Sequence, residues 1–269
     1  MAGTNALLAV EARGLSRRFG SLVAVDAIDI RVERGEFFAF LGPNGAGKTT
    51  TIQMLCTLRK PSTGSATVNG FDVVAQGALV RSSIGIVFQE PTLDDYLTAE
   101  QNLRYHCMIY HVPRHERERR IDAVLELVEL RERRREAVKT FSGGMKRRLE
   151  VARALLHEPA VLFLDEPTTG LDAQTRRYLW QHLHRLREEV SLTLFLTTHY
   201  LAEAEEADRV AVIDHGSIVA EGTPEELTSA SGAESLEDAF VSLTGRDLRP
   251  EEASARERLA SARRGRPRL

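Results

Sequence analysis

The residues with the most specific chemistry form a glycine-rich loop between an apolar run and a helix-like segment. The loop, which fits G-x-x-x-x-G-K-[ST], reads Gly42, Pro43, Asn44, Gly45, Ala46, Gly47, Lys48, Thr49, with Thr50 next. Glycines let backbone N–H groups approach phosphate closely, and a helix N-terminus favours anions. Lys48, which we expect to be exposed, can reach the outer phosphates, and the Thr49 hydroxyl can ligate Mg²⁺. The alternative, a chance glycine turn, does not explain this setting.

Two adjacent acids, Asp165 and Glu166, follow the apolar run 160–164. Apolar runs without alternation are typical of central parallel strands. Asp165 can hold the coordination shell of Mg²⁺, and Glu166 can polarise a water molecule. The alternative is a solvent-facing acidic turn. We favour the functional interpretation because the acids follow a buried strand in a chain that also carries a phosphate loop.

Gln89 and His199 each follow a further apolar strand, at residues 84–88 and 192–198. Sites in open α/β sheets form where parallel strands end, so both side chains are expected at the same edge as the loop and Asp165. Taken alone, Gln89 is more simply an ordinary polar loop residue, and a lone histidine is usually structural.

Ser142, Gly143, Gly144 and Met145 open another helix. The serine can be a plain N-cap, or the segment can be a second anion site, which the paired glycines favour. Helical spacing predicts one buried face, and it places four polar residues outside that face. The buried set is Met145, Leu149, Ala152 and Leu156, and the outer set is Lys146, Arg147, Arg148 and Glu150.

The remaining elements can be placed around these motifs. Residues 7–34 predict antiparallel strands, with Phe19 at a turn as either a core residue or a base-stacking platform. Residues 92–157 predict a helical insertion opened by the capping box Thr98–Gln101, with a second helix from about Glu116. A hairpin over 210–222, a helix at Pro224 and an amphipathic segment at 235–244 follow, and disorder is expected beyond Gly245.

Composition excludes several classes of protein. The 269 residues carry a formal net charge of −3 with 42% hydrophobic residues, which indicates a globular core and no general attraction to nucleic acid. Cys56 and Cys107 lack metal or redox spacing and indicate free thiols. The first ten residues lack the basic region of a signal peptide, and no apolar run approaches a membrane span, so we expect no leader and no span.

The order of the motifs resembles the ATP-binding subunit of ABC transporters over about residues 7–225: the phosphate loop, then Gln89, Ser142-Gly143-Gly144, Asp165-Glu166, Gly170-Leu171-Asp172 and His199. The segment Ser142–Met145 and the ending 235–245 look like the daunorubicin-resistance type of exporter. Two positions depart from the family signature, Phe141 in place of leucine and Met145 in place of glutamine.

The resemblance implies a role for each matched residue, with ATP and Mg²⁺ as cofactors. Phe19 stacks adenine, residues 42–50 bind the phosphates, and Thr49, Gln89 and Asp165 serve the metal. Glu166 is the general base, and His199 contacts the γ-phosphate. The signature residues Ser142, Gly143, Gly144 and Met145 reach the ATP of a second subunit, and Asp172 belongs to the D-loop.

The implied fold is α/β, a P-loop NTPase (RecA-like) core with an antiparallel β portion and an inserted helical subdomain. Residues 1–230 form the ABC domain, 231–245 a short extension and 246–269 an Arg-rich tail. The implied function is ATP hydrolysis that powers export of a drug-like or lipid-like substrate through a separate permease, at the cytoplasmic face of the membrane, in a homodimer without nucleic acid. A soluble ABC ATPase or an importer ATPase is the alternative.

Overall fold

The computed structural model describes residues 8–169 and 171–245, and the disorder expected for residues 246–269 lies outside these ranges. The strands are β1 (Leu8–Phe19), β2 (Leu22–Glu33), β3 (Phe37–Leu41), β4 (Thr63–Val68), β5 (Phe71–Asp72), β6 (Ile84–Val87), β7 (Val161–Asp165), β8 (Thr193–Thr198), β9 (Arg209–Asp214) and β10 (Ser217–Gly222). The α-helices are α1 (Lys48–Leu55), α2 (Gly77–Ser83), α3 (Ala99–Ile109), α4 (Arg114–Leu127), α5 (Gly143–Leu155), α6 (Ala173–Val190), α7 (Leu201–Ala204), α8 (Pro224–Ser231) and α9 (Leu236–Thr244).

A six-stranded sheet forms the centre of the molecule, in the order β10-β9-β3-β8-β7-β6. Neighbouring strands from β9 to β6 are parallel, and only β10 pairs antiparallel with β9. Because β3, β8, β7 and β6 are parallel neighbours, their carboxyl ends meet at one edge. This confirms the predicted parallel core and determines where the motif residues lie.

Strand β3 shows how the sheet separates two layers of core. Its five residues are fully buried and alternate between the clusters on the two faces. Phe37, Ala39 and Leu41 join the cluster that contains helices α3 to α6. Phe38 and Phe40 join the cluster beneath the antiparallel strands. Burial on both faces explains why β3 appears in the sequence as an unbroken apolar run.

The predicted antiparallel portion is a separate four-stranded sheet of order β2-β1-β4-β5. Strands β1 and β2 form a hairpin in which Phe19 pairs with Leu22 across a turn. Gly20 occupies this turn with φ of 58°, a left-handed conformation that glycine adopts without penalty. The hairpin therefore carries Phe19 to the tip of the sheet.

Helices α3, α4 and α5 lie between β6 and β7 in the chain and share a core, as predicted for the insertion at 92–157. The capping box of Thr98 and Gln101 is present at the start of α3. The second helix begins at Arg114, two residues earlier than expected, because the chain becomes helical directly after Pro113. Helices α2 and α7 are short and were not predicted from the pattern.

Helix α5 corrects the prediction of its polar face. Arg147 is 6% exposed and Glu150 is 0% exposed, although both were expected outside the buried stripe. Their side of α5 faces the loops at the ends of β6 and β7, where their charges are paired. Helical periodicity placed Arg147 and Glu150 outside the buried face. The structure buries them because carbonyl oxygens nearby accept hydrogen bonds from Arg147 and because the two side chains form an ion pair.

An aromatic cluster joins the helical insertion to the central sheet. The ring of Tyr110 stacks on His106 and on His157, with centroid distances of 4.4 and 3.9 Å, and the two histidine rings lie 5.5 Å apart. His157 Nε2 lies 2.8 Å from the carbonyl oxygen of Ile84 at the start of β6. Burial lowers the pKa of His106 to about 3, and the positive charges of His157 and Arg153 act in the same direction. Burial also lowers the pKa of His157.

We expect this cluster to make the fold sensitive to acid. A histidine titrates near pH 6.5 in an unfolded chain, so the unfolded state binds more protons than the folded state below that pH. The free energy of unfolding is therefore unaffected by His106 above pH 7 and falls by about 2 kcal/mol between pH 7 and pH 5, given a folded pKa of about 3. Denaturant unfolding at both pH values measures this loss. The variant His106→Phe keeps a stacking ring and should lose less stability; an equal loss in both proteins would contradict the assignment.

Candidate functional site

The carboxyl edge of the central sheet brings together the motif residues of four strands. The phosphate loop follows β3, and His199 follows β8. Asp165 ends β7 and Glu166 follows it, while Gln89 lies two residues beyond β6. The sequence prediction that these residues share one edge is correct, and the tertiary structure adds the contacts among them.

The backbone of the loop requires its glycines. Gly47 has φ of 111°, and a Cβ there would lie 2.5 Å from the carbonyl oxygen of Ala24. A Cβ on Gly42 would lie 2.4 Å from the carbonyl oxygen of Ile213. Gly47 is the N-cap of α1 and makes no side-chain cap hydrogen bond. The loop is thus held against β9 and the β2 strand, and the helix presents N–H groups suited to an anion.

Lys48 is 4% exposed, so the expectation that it lies exposed at the loop is wrong. Its ammonium donates to the carbonyl oxygens of Gly42 and Pro43 at 2.8 and 3.2 Å. It also lies 3.1 Å from Glu166 Oε1. Burial lowers the pKa of Lys48, and the negative charge of Glu166 opposes that shift. The lysine is folded back onto its own loop, and three oxygen atoms lie within 3.2 Å of its ammonium nitrogen.

Glu166 is the point on which three polar side chains converge. Beside Lys48 on Oε1, its Oε2 lies 3.2 Å from His199 Nδ1 and 3.5 Å from Gln89 Nε2. Its backbone has φ of 47°, an uncommon left-handed conformation for a residue with a side chain. Burial would raise the pKa of Glu166, but the hydrogen bond from His199 and the charge of Lys48 lower it to about 2. The carboxylate is ionised at neutral pH.

Asp165 lies beside Glu166 but in a different environment. Its Oδ1 accepts hydrogen bonds from Thr197 at 2.6 Å and from Thr49 at 3.3 Å. Burial raises the pKa of Asp165, and the hydroxyl donors act against the shift. Thr197 was not singled out from the sequence, although a threonine inside an apolar strand is a signal for a buried polar contact.

A further buried carboxylate, Glu203, was also missed by the sequence interpretation. It is 1% exposed and lies on α7, after His199. Thr168 donates to Glu203, and Thr198 Oγ1 donates to its Oε2 at 2.6 Å. The indole nitrogen of Trp180 lies 3.4 Å from Oε1. Glu203 therefore ties the segment after Glu166 to the strand end before His199.

The signature segment lies at the start of α5. Ser142 caps this helix by accepting a hydrogen bond from the Met145 N–H at 3.3 Å. A Cβ on Gly144 would lie 2.6 Å from Thr175 Cγ2, so close packing against α6 requires that glycine, whereas a Cβ on Gly143 would meet no atom within 4 Å. Among the hydrogen bonds and ion pairs of the described residues, none joins Ser142 or Gly143 to the phosphate loop. The cap interpretation holds in the single chain.

Asp172 caps the next helix. Its carboxylate accepts hydrogen bonds from the N–H and hydroxyl of Thr175 at 2.9 and 2.8 Å. The hydrogen bonds from Thr175 lower the pKa of Asp172. Because Thr175 also packs against Gly144, the caps of α5 and α6 lie side by side.

Phe19 is 36% exposed and lies outside the described core clusters, so the core interpretation of this residue is wrong. The guanidinium carbons of Arg17 and Arg59 lie 4.8 and 5.0 Å from its ring centroid. Cation–π contacts of this kind are worth about 0.5–1 kcal/mol at exposed sites. A stacking ligand can displace them at small cost.

Comparison with known proteins identifies relatives along most of the chain. A family model described as ABC transporter matches residues 25–169. The daunorubicin resistance ATP-binding protein DrrA3 of Streptomyces coeruleorubidus is 42% identical over 230 residues, which are 85% of this chain and 72% of the relative. The linearmycin resistance ATP-binding protein LnrL of Bacillus subtilis is 38% identical over 234 residues, which are 87% of this chain and 75% of the relative.

Solved structures show the same fold. An ATP-binding subunit of an ABC transporter superimposes with a TM-score of 0.79 at 30% identity, covering 87% of this chain and 98% of the other. A dimeric ATP-binding cassette in a post-hydrolysis state, bound to ADP and Pi, matches with a TM-score of 0.72 at 26% identity, covering 80% of this chain and 98% of the other. With the site geometry above, these matches show that the chain belongs to the ABC transporter family, as an ATP-binding subunit with ATPase activity.

Proposed function

We propose that this ATPase drives export of a drug-like or lipid-like molecule through a separate membrane permease. The observation that supports its catalytic part is the convergence of Lys48, Gln89 and His199 on the Glu166 carboxylate. The observation that supports export is the group of relatives, whose names describe resistance to daunorubicin and to linearmycin.

ATP binds, in this proposal, through the loop 42–47, the N-terminus of α1 and the ammonium of Lys48. Lys48 exchanges the oxygens that it now contacts for phosphate oxygens. Phosphate thereby competes with Glu166 for the Lys48 ammonium. In the same way it competes with Glu166 for the side chains of His199 and Gln89. Phe19 provides a ring face for adenine at the tip of the β1–β2 hairpin.

The oxygen atoms of Thr49, Asp165 and Gln89 suit Mg²⁺. Thr49 Oγ1 lies 3.3 Å from Asp165 Oδ1, and burial raises the pKa of this carboxyl, a cost that a neighbouring dication offsets. Among the described residues, no group of three or more His, Cys, Asp or Glu side chains forms a metal cage. That agrees with the usual binding of Mg²⁺ by one or two carboxylates together with substrate phosphates. When bound, the ion neutralises charge on the phosphates.

Glu166 acts as the general base that takes a proton from the attacking water. Its present pKa of about 2 results from its partners, since burial alone would raise that pKa. When Lys48 turns to phosphate, Glu166 loses a cation at 3.1 Å, and its pKa rises toward the range useful to a base. His199 orients the carboxylate and contacts the γ-phosphate.

Two chains form each complete ATP site in this proposal. Ser142 stands at a helix N-terminus, is exposed, and has no link to the phosphate loop of its own chain within the described residues. A facing subunit can therefore present Ser142, Gly143, Gly144 and Met145 to the open side of the γ-phosphate, with Asp172 beside them. The dimeric arrangement of the ADP-bound relative supports this expectation.

Helix α3 offers a docking surface for the permease. Tyr96 before it, and Tyr105, Met108 and Ile109 on it, are 85%, 61%, 54% and 54% exposed. Large exposed side chains grouped on one element mark interaction sites. The same insertion connects to Gln89 through residues 90–98, which gives docking a route to the γ-phosphate site. In the described part of the chain, no helix combines the length and apolar character needed to cross a bilayer.

We expect a photo-crosslinker at Tyr105 to capture an integral membrane protein with several spans in native membranes. A crosslinker at Leu22, which is 64% exposed and lies on β2 in the separate four-stranded sheet, is the matched control and should not capture the same protein. Mass spectrometry of the adducts is the measurement. Recovery of the adduct from the membrane fraction also tests the proposed association of this chain with the membrane. Capture of ribosomal or other non-membrane proteins at Tyr105 would instead favour a soluble ABC ATPase.

A further inference from the structure

Arg147 is a buried arginine whose five N–H donors each have an acceptor. Nε donates to the carbonyl oxygen of Pro167. Nη1 donates to the carbonyl oxygen of Phe88 and to Glu150 Oε2, the latter at 3.1 Å. Nη2 donates to the carbonyl oxygens of Asp165 and Glu166 at 3.4 and 3.1 Å. A guanidinium has five donors in one plane, and all are used here.

Four of the five acceptors are carbonyl oxygens of the site, and only the fifth, Glu150 Oε2, lies on the helix that carries Arg147. Three of them are consecutive carbonyls around Glu166, and the fourth precedes Gln89. Helix α5 thus holds the backbone on both sides of the base and the backbone of the residue that precedes Gln89. Glu166 has a left-handed φ of 47°, which persists only where its surroundings enforce it.

Glu150, one turn further along α5, completes the arrangement. It is 0% exposed, and its carboxylate accepts hydrogen bonds from the N–H and hydroxyl of Thr92 at 2.6 and 3.2 Å. The carbonyl oxygen of Thr92 accepts a hydrogen bond from Arg153 at 2.9 Å. The segment from Phe88 to Thr92, which contains Gln89, is therefore fixed to α5 at both ends.

We propose that Arg147 is a positioning residue for hydrolysis: it sets the backbone of Glu166 and Gln89 together, so that a shift of α5 moves both. Ser142 stands at the start of the same helix, so contact with a partner's ATP at Ser142 is transmitted through α5 to this chain's own base. The inference rests on the proposed roles of Glu166 and Gln89 and adds the element that couples them.

The requirement is for arginine and not for a positive charge alone. A lysine at this position keeps the ion pair with Glu150, but its single nitrogen cannot reach carbonyls spread from Phe88 to Pro167. If the residue served stability only, losing these bonds would lower the melting temperature and weaken every function in parallel. If it positions the base, turnover falls while ATP binding remains.

The test compares Arg147→Lys with the double variant Arg147→Met/Glu150→Gln, which removes both charges of the buried Arg147–Glu150 pair and leaves Arg153 with its hydrogen bond to the Thr92 carbonyl oxygen. Arg120→Lys is the matched control, since Arg120 is half-buried and, like Arg147, bonds to a carbonyl oxygen and to carboxylates, all away from the site. Melting temperature, ATP Kd, and kcat at saturating ATP are measured for each protein. We expect Arg147→Lys to lower kcat about tenfold and the double variant about 100-fold, with Kd changed less than about twofold.

The Arg120→Lys control should hydrolyse ATP like the unmodified chain. A wild-type kcat in Arg147→Lys would overturn the inference, as would a loss of ATP affinity in step with kcat and melting temperature. Should the double variant not fold, Arg147→Lys alone decides. Glu166→Gln is measured in parallel. If that variant remains active, the proposed role of Glu166 as the base is wrong. If Glu166→Gln is inactive and Arg147→Lys is fully active, only the positioning role of Arg147 is wrong.

Discussion

Replacing Glu166 by glutamine is expected to lower ATP turnover by about 1,000-fold, within the range that general bases contribute. Glutamine keeps the size of the side chain and an oxygen toward Lys48, but it cannot accept a proton from water. ATP binding should persist or tighten, because Lys48 no longer has a carboxylate partner at 3.1 Å to leave. Steady-state turnover and equilibrium nucleotide binding are measured on the same preparation, and they give kcat and the Kd for ATP.

Glu36→Gln is the matched control for this substitution. Glu36 is also shielded and ion-paired, with Arg209 Nε at 2.8 Å, but it lies before β3, at the end opposite the phosphate loop. Its loss should leave turnover unchanged. Turnover in Glu166→Gln within a few-fold of the unmodified chain would remove Glu166 from the role of base and leave it a structural partner of Lys48.

The second large effect concerns the sharing of each site between two chains. Lys48→Met removes the phosphate-binding ammonium, and methionine keeps the volume that a residue of 4% exposure fills. We expect ATP affinity to fall at least about 100-fold, since loss of a buried charge contact costs on the order of 3 kcal/mol. Ser142→Arg blocks the exposed start of α5 at the cost of its cap, about 1 kcal/mol. Each homodimer should be inactive.

Mixing the two inactive variants should restore activity. In a mixed dimer, one site carries both defects, while the other joins an intact Lys48 to an intact Ser142 from the facing chain. Recovered hydrolysis and ATP-dependent dimerisation are the measurements, with native mass spectrometry to show that mixed dimers form. If mixed dimers form and remain inactive, the two halves of the site do not meet in trans, and the dimeric proposal is excluded.

The sequence alone predicted the position of the chemistry well, because each motif follows an apolar strand. Parallel strands place their carboxyl ends together, so the predicted parallel arrangement was enough to expect Lys48, Gln89, Asp165 and His199 at one edge of the sheet. The helical insertion and the capping box of Thr98 could likewise be predicted from the sequence, since they depend on local spacing and on hydrogen bonds within a few residues.

The sequence did not reveal which charged side chains are buried. Lys48 was expected to be exposed and Arg147 to lie outside the buried face of its helix, yet both are buried. Carbonyl oxygens of its own loop and the distant carboxylate of Glu166 accept Lys48 inside the protein, whereas Arg147 is accepted by carbonyl oxygens of segments distant in the chain, such as Phe88 and Pro167. A periodic pattern contains no information about those oxygens.

What the sequence by itself determined is therefore the type of site and its edge of the sheet, through short-range rules of spacing and strand polarity. Only the tertiary structure decided how Glu166 is held: by its left-handed backbone, by its contacts to Lys48 and His199, and by the hydrogen bond that Arg147 donates to its carbonyl oxygen. The physical reason is that these contacts join residues far apart in the chain, and their geometry exists only once β3, β6, β7, β8 and α5 have packed together.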